Sequence, residues 1–376
     1  MSETPLIARF TPLGELVKLY LRFGVDRRYY RRALGRLVSG VIVEPLRINE
    51  NLRYGRRVDK VAIEEPPVFI LGYGRSGTTH LHNLFMQDPA LGCITNYQTA
   101  VEPFALTGLP WMKKLMAGKM PSKRPMDNVA ITMDTPQEEE ISLINSTRHA
   151  ALHFLSFPNN TELYDKYVYF EGCTEKERVA WKRAYLRVLR KATILSGGRR
   201  LVLKTPTNTA RIPLLMKLFP DARFVHICRN PYAVFRSIEH LYKTILPGQI
   251  LQEFDWKEFN EWSIGNYTKV MEIYRRDRDL IPRKNLVEIT YEDLDRNPVE
   301  EMERIYTHLA LPGWPEVRSR IETYIASLGR FAKNRFSYPD EIVEAVNKRW
   351  SIAFEMFGYE RLSSGAGFGT VHRINE

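Results

Sequence analysis

Residues 72–79 read Gly-Tyr-Gly-Arg-Ser-Gly-Thr-Thr and follow a wholly apolar run, Val68-Phe69-Ile70-Leu71, that opens behind Pro66-Pro67. A short apolar run bounded by prolines and glycines reads as a parallel strand buried on both faces. After the loop, Leu81, Leu84 and Phe85 fall on one side of a helix. Strand, small-residue loop and helix in that order leave few options. The backbone N–H groups curl inward at a helix N-terminus and form a site for a phosphate-like anion. Thr78 and Thr79 add hydroxyl donors where the helix begins.

The same grammar recurs along the chain. Leu201-Val202-Leu203 precedes a helix through Ile212 and Leu215, and Phe224–Cys228 precedes a helix from Pro231. Leu286–Ile289 supplies a fourth strand. The fold class expected is α/β, a P-loop-type central parallel sheet flanked by helices. Residues 104–197 read as mostly helical and are expected to form a cap or insertion on the acceptor side. Residues 12–43 read as amphipathic helix, and Pro45 with the polar stretch to Asp59 reads as a linker or irregular wrap. The expected division is a basic helical arm over 1–60 and an α/β domain over 66–376.

The loop differs from that of a nucleotide triphosphatase. Such an enzyme needs a lysine after the last loop glycine, where this chain has Thr78, and an acidic strand end that helps hold Mg²⁺. The candidate strands here end at Lys204 and Arg229, and the cation within the loop is Arg75. The loop is therefore expected to hold a 5′-phosphate-type anion without a metal.

Two motifs resemble those of the sulfotransferases that use 3′-phosphoadenosine 5′-phosphosulfate (PAPS). Ile70–Thr79 is similar to their 5′-phosphosulfate loop. Phe224–Ser237 is similar to their 3′-phosphate motif, in which Arg229 ends a strand and Ser237 lies in the next helix. Asn230 can cap that helix and Pro231 suits its first position. The resemblance implies cofactor contacts from Arg75, Ser76, Gly77, Thr78, Thr79, His80, Arg229, Ser237 and Tyr291, with His80 and Tyr291 beside the adenine. Val202–Pro206 resembles the segment that brings a lysine, here Lys204, to the transferring group. Thr135–Glu140, Leu218–Phe224 and Lys333–Ser337 look closest to the bacterial branch related to tyrosylprotein-type enzymes. Lys333 or Arg335 could add charge near the 3′-phosphate, although a solvated basic turn is the plainer reading.

Arg75, Thr79 and Lys204 are the candidates for stabilising transferred charge. The acceptor hydroxyl must also lose a proton, so a base is expected. Where cytosolic relatives have histidine after Lys-Thr, this chain has Pro206. Glu102 is the first candidate, by resemblance to the branch that uses a glutamate after the loop; its plain reading is a loop acid or ion-pair partner. Glu139, Glu140, His82, His149 and His153 compete. Thr135-Pro136-Gln137-Glu138 reads as a capping box, which would occupy Glu138 structurally.

Net charge is +11, and residues 1–60 hold thirteen Lys/Arg against six Asp/Glu. Such an excess favours an anionic partner. No basic low-complexity tract accompanies it, so nucleic acid is not expected. The arm has two readings: a helical pair packed on the main domain, or an interfacial arm touching anionic membrane. Three scattered cysteines and the lack of a secretory pattern or a span-length apolar run point to the cytoplasm. The acceptor expected is a small-molecule or lipid hydroxyl; Trp111, Met112, Phe154, Phe157 and Trp181 hint at a hydrophobic one, though each could be core. A P-loop nucleotide kinase and a non-catalytic binder of anionic lipid surfaces are the alternatives.

Overall fold

The computed structural model describes residues 10–108, 110–118, 120–124, 126, 129–328 and 337–363. The segment holding Lys333 and Arg335 lies outside them. In chain order the first elements are α1 (Leu13–Phe23), α2 (Tyr30–Lys60), β1 (Val68–Leu71), α3 (Thr78–Phe85), β2 (Leu91–Gly92), α4 (Asn96–Ala100) and α5 (Pro110–Ala117). Then come α6 (Glu139–Ile144), α7 (Glu162–Val168), α8 (Glu175–Leu195), β3 (Arg200–Lys204), α9 (Ile212–Leu218), β4 (Arg223–Cys228) and α10 (Pro231–Gln249). The last are α11 (Trp256–Asp277), β5 (Leu286–Thr290), α12 (Tyr291–Arg296), α13 (Pro298–His308), α14 (Trp314–Ser327), α15 (Asp340–Arg349) and α16 (Ser351–Phe357).

The chain forms two compact units. One draws on residues 1–66, 90–203 and 243–259, the other on 67–89, 204–242 and 260–376. The basic arm and the helical 104–197 segment thus belong to the same unit.

In the second unit β4 pairs in parallel with both β1 and β5. Leu71 stands opposite His226, and Cys228 opposite Thr290. All four residues of β1 are buried, as are Phe224, Val225 and Ile227 of β4, so the apolar runs do become the sheet core. This register brings the chain just beyond β1, β4 and β5 to one edge, where α/β sheets bind ligands. In the first unit β2 pairs in parallel with β3. The fold class is therefore the expected α/β. The two-residue β2 is an addition, because Leu91-Gly92 is too short to leave a periodic signal.

Helix α2 corrects the expected break at Pro45. It runs 31 residues, from Tyr30 to Lys60, with Pro45 inside. An interior proline costs about 3 kcal/mol, and anchors on either side hold the helix through it. Before it, Arg36 donates to Ser156 Oγ and Gln249 O, both at 2.8 Å. Val43 joins a core with Val101, Phe104 and Ala105. After it, Glu50 accepts from the backbone N–H groups of Leu106 and Thr107, at 2.6 and 3.1 Å.

The capping box at Thr135 is also corrected. Helix α6 begins at Glu139, and its cap residue Glu138 makes no capping hydrogen bond. Thr135 instead accepts from Asn96 Nδ2 and donates to Thr132 O, while Pro136 bridges to Thr95. Among the described residues, capping boxes form at Thr95 with Gln98 and at Thr174 with Glu177.

Candidate active site

The glycine loop is held open by backbone strain and close packing. Arg75 has a φ of 74° and Gly77 of 93°, both in the left-handed region. Arg75 lacks glycine's freedom there, a costly conformation that persists where surroundings enforce it. Gly77 is obligatory for a second reason: a Cβ would lie 2.3 Å from Cδ2 of Tyr291. The loop's start is clamped by Thr209, whose hydroxyl accepts from Gly72 N at 2.8 Å and reaches Gly72 O at 3.2 Å. Ser76 and Thr78 are buried, while Arg75, Gly77, Thr79 and His80 are half-buried.

The cations gather around this loop. Arg75 Nε donates to Ser237 Oγ at 2.9 Å. Arg229, at the end of β4, donates to Arg75 O at 3.1 Å, and its guanidinium lies 4.3 Å from the centroid of Tyr291. Burial pushes the Tyr291 phenol above its usual range, partly offset by the Arg229 charge. Asn230 Oδ1 accepts from Tyr232 N and Ala233 N, the cap expected for α10. That cap fixes the start of the helix that carries Ser237. Lys204 ends β3 and is buried. Arg75, Gly77, Arg229, Ser237 and Tyr291, drawn from three separate stretches of chain, form one cluster. Ser237 meets Arg75 within it.

Glu102 lies in the first unit, in a short 3-10 turn, and is buried. Its carboxylate is 3.2 Å from Lys191 Nζ, which also contacts Glu50 at 2.7 Å and donates to Glu102 O at 2.6 Å. Two carboxylates thus share one ammonium. Burial pushes the Glu50 carboxyl above the usual range; Lys191 opposes this, and the Glu102 charge adds to it. Such a buried group is held by its pairing and is costly to break.

Three of the competing acids and bases, Glu140, His153 and His149, meet structural partners, and Glu139 and His82 are buried. Glu140 accepts from Ala151 N at 2.9 Å. His153 Nε2 meets Thr147 O at 2.8 Å, and burial holds its pKa down to about 4. His149 Nδ1 contacts the Tyr167 hydroxyl at 2.8 Å, and its pKa is lowered by burial. Phe154, Phe157 and Trp181 are core, whereas Trp111 is exposed. Thr209, Lys191 and Glu50 were not legible in the sequence: each meets its partner across more than fifty residues and sits in no motif.

A half-buried pair of arginines, a strained glycine loop and a capped helix meet at one sheet edge of an α/β fold, an arrangement suited to an anion. Residues 66–316 match the sulfotransferase family, and the chain belongs to it. It is similar to the ω-hydroxy-β-dihydromenaquinone-9 sulfotransferase Stf3 of Mycobacterium tuberculosis and of Mycobacterium bovis. Each is 28% identical over 341 residues, covering 90% of this chain and 87% of the relative. Among solved structures, sulfotransferase STF9 of Mycobacterium avium is 19% identical with a TM-score of 0.67, covering 93% of this chain and 97% of that one. Sulfotransferase STF1 of M. tuberculosis is also 19% identical, with a TM-score of 0.61 and coverage of 85% and 88%. Both share the fold. The protein is a sulfotransferase, an enzyme of sulfuryl transfer.

Proposed function

We propose that this enzyme moves the sulfuryl group of PAPS onto a hydroxyl of a hydrophobic, lipid-like acceptor. The single observation behind the donor assignment is the Arg75–Ser237 hydrogen bond together with Arg229 on Arg75 O, which joins the two phosphate motifs. The curved loop, with Ser76, Gly77, Thr78 and Thr79, suits a 5′-phosphosulfate, and Arg229 with Ser237 suits a 3′-phosphate. Tyr291 and His80 would flank the adenine. The bound donor supplies an activated sulfuryl group. Arg75 and Lys204 would stabilise charge on the leaving side, as expected when catalysis rests on positioning and electrostatics.

On the acceptor side, Glu102 is proposed as the group that takes the hydroxyl proton. Its burial, with Lys191 and Glu50 holding its position, supports a fixed geometry. The 104–197 segment is proposed to shape the acceptor pocket. The relative Stf3 acts on a hydroxylated menaquinone by its name, which supports an apolar alcohol here. The enzyme is proposed to work in the cytoplasm without a metal, its arm touching an anionic membrane.

Calorimetric titration with 3′-phosphoadenosine 5′-phosphate, the desulfated donor, tests the donor assignment. Binding is expected in the presence of a chelator. Failure to bind, or a strict need for Mg²⁺, would point to a nucleotide kinase site instead.

A further inference from the structure

Helix α2 departs from an ordinary surface helix, which turns apolar residues inward and charges outward. Its inward face carries Arg36 and Glu50, 2% and 1% exposed and held by the polar contacts described above, beside Ala33, Gly40, Val43 and Val58. The opposite face is apolar and open. Leu34 is 62% exposed, Ile42 66% and Leu52 82%, with Tyr30, Val38 and Val41 exposed beside them. At 1.5 Å per residue this face runs about 33 Å from Tyr30 to Leu52. In the same unit, Leu21 of α1 and Trp111 of α5 are exposed as well. Contiguous open apolar surface of this extent marks an interaction site.

Charge selects the occupant. Arg27, Arg28 and Arg31 stand exposed at one end of the face, and Arg53, Arg56, Arg57 and Lys60 at the other. Of the three acids in α2, Glu50 is buried, Glu44 is paired with Arg47, and Asp59 is paired with Arg187 at 3.1 Å. Two copies packed along this face would set arginine cluster against arginine cluster in either orientation. An anionic bilayer instead accepts apolar side chains below its headgroups and cations among them. The exposed aromatic ring of Tyr30 suits that interface.

We propose that the outward face of α2, from Tyr30 to Leu52, is the surface by which this enzyme lies in the plane of an anionic lipid bilayer. This deepens the membrane contact proposed above and rests on it, and it would bring the enzyme to an acceptor dissolved in lipid.

The test is flotation of the full-length protein with vesicles of phosphatidylcholine alone or with a third phosphatidylserine. Binding to the anionic vesicles is expected, weakened by high salt. The triple variant Leu34→Ser/Val38→Ser/Ile42→Ser changes only exposed positions, so its fold and nucleotide binding should persist. Its vesicle partition should fall at least about tenfold, since three apolar side chains no longer enter the interface. Arg53→Gln/Arg56→Gln should weaken binding to anionic vesicles and lessen its salt dependence, five of the seven cations remaining. Absence of vesicle binding overturns the proposal, as does binding that the triple variant leaves intact. Concentration-dependent dimers that the triple variant dissolves, without vesicle binding, would assign the face to a second copy. Nucleotide binding, measured separately, reports on the donor site alone, so the two readings can fail independently.

Discussion

Arg75 Nε donates a 2.9 Å hydrogen bond to Ser237 Oγ, linking residues 162 positions apart in the chain. Arg75 belongs to the loop after β1 and Ser237 to the helix after β4, two strands paired in register. The bond fixes a guanidinium whose own backbone sits at a positive φ. A charged group held by strain on one side and a hydroxyl on the other needs little reorganisation when an anion arrives.

Arg229→Ala should separate the two ends of the proposed donor site. A lost charge-assisted contact is worth about 1.5–3 kcal/mol, so affinity for 3′-phosphorylated nucleotide should fall about 10- to 100-fold. The 3′-dephospho analogue should lose much less. Calorimetry with both ligands reads the difference, and equal losses would remove Arg229 from the 3′-phosphate.

Glu102→Gln should lower turnover by about 10²–10⁴-fold if Glu102 takes the acceptor proton. Stability should change little. Lys191 keeps Glu50 at 2.7 Å and the Glu102 carbonyl at 2.6 Å, and one of two carboxylates sharing an ammonium becomes neutral. Donor affinity should hold. The loss should be milder with an acidic phenol than with an aliphatic alcohol. Turnover that survives here but collapses in Glu139→Gln or Glu140→Gln would move the base to α6.

The motifs around the loop were legible because each is local: a strand end, a glycine turn, a capped helix. Their assembly was not. Nothing in the spacing of Arg229 and Ser237 shows that the serine turns to Arg75, since that depends on the register of β1 against β4. Pro45 misled for a related reason. Proline reports a local penalty, while Arg36, Val43 and Glu50 supply the distant contacts that override it. Thr135-x-x-Glu138 matched a capping box by pattern, yet Asn96 and Thr132 claim the threonine hydroxyl first.

Acid stability should depend on His226. This residue sits in β4 with both ring nitrogens lacking hydrogen-bond partners, stacked 3.9 Å from Tyr274 and 5.5 Å from Phe357. Burial, with a smaller contribution from the Arg278 charge, holds its pKa down to about 3. A folded pKa below the unfolded value of about 6.5 means that its contribution is complete above pH 6.5 and is lost as pH falls toward 3. His226→Phe should therefore flatten the decline of unfolding free energy across that window. At pH 7 it should be neutral or stabilising by about 1 kcal/mol, because two unsatisfied polar atoms leave the core. Urea titrations of both proteins at several pH values measure it; an unchanged slope would show that His226 does not titrate with folding.

The reaction proposed is sulfuryl transfer from PAPS to the hydroxyl of an apolar acceptor. Its most direct test is a panel of alcohols, including ω-hydroxylated isoprenoid quinones, sterols and simple phenols, incubated with isotopically labelled PAPS and purified enzyme in chelator, then read by mass spectrometry. At least one hydrophobic alcohol should gain a single labelled SO₃ as desulfated nucleotide accumulates in equal amount, with Arg75→Ala giving neither. Transfer of a phosphoryl group from ATP under Mg²⁺, with no labelled product from PAPS across the panel, would overturn PAPS as the donor.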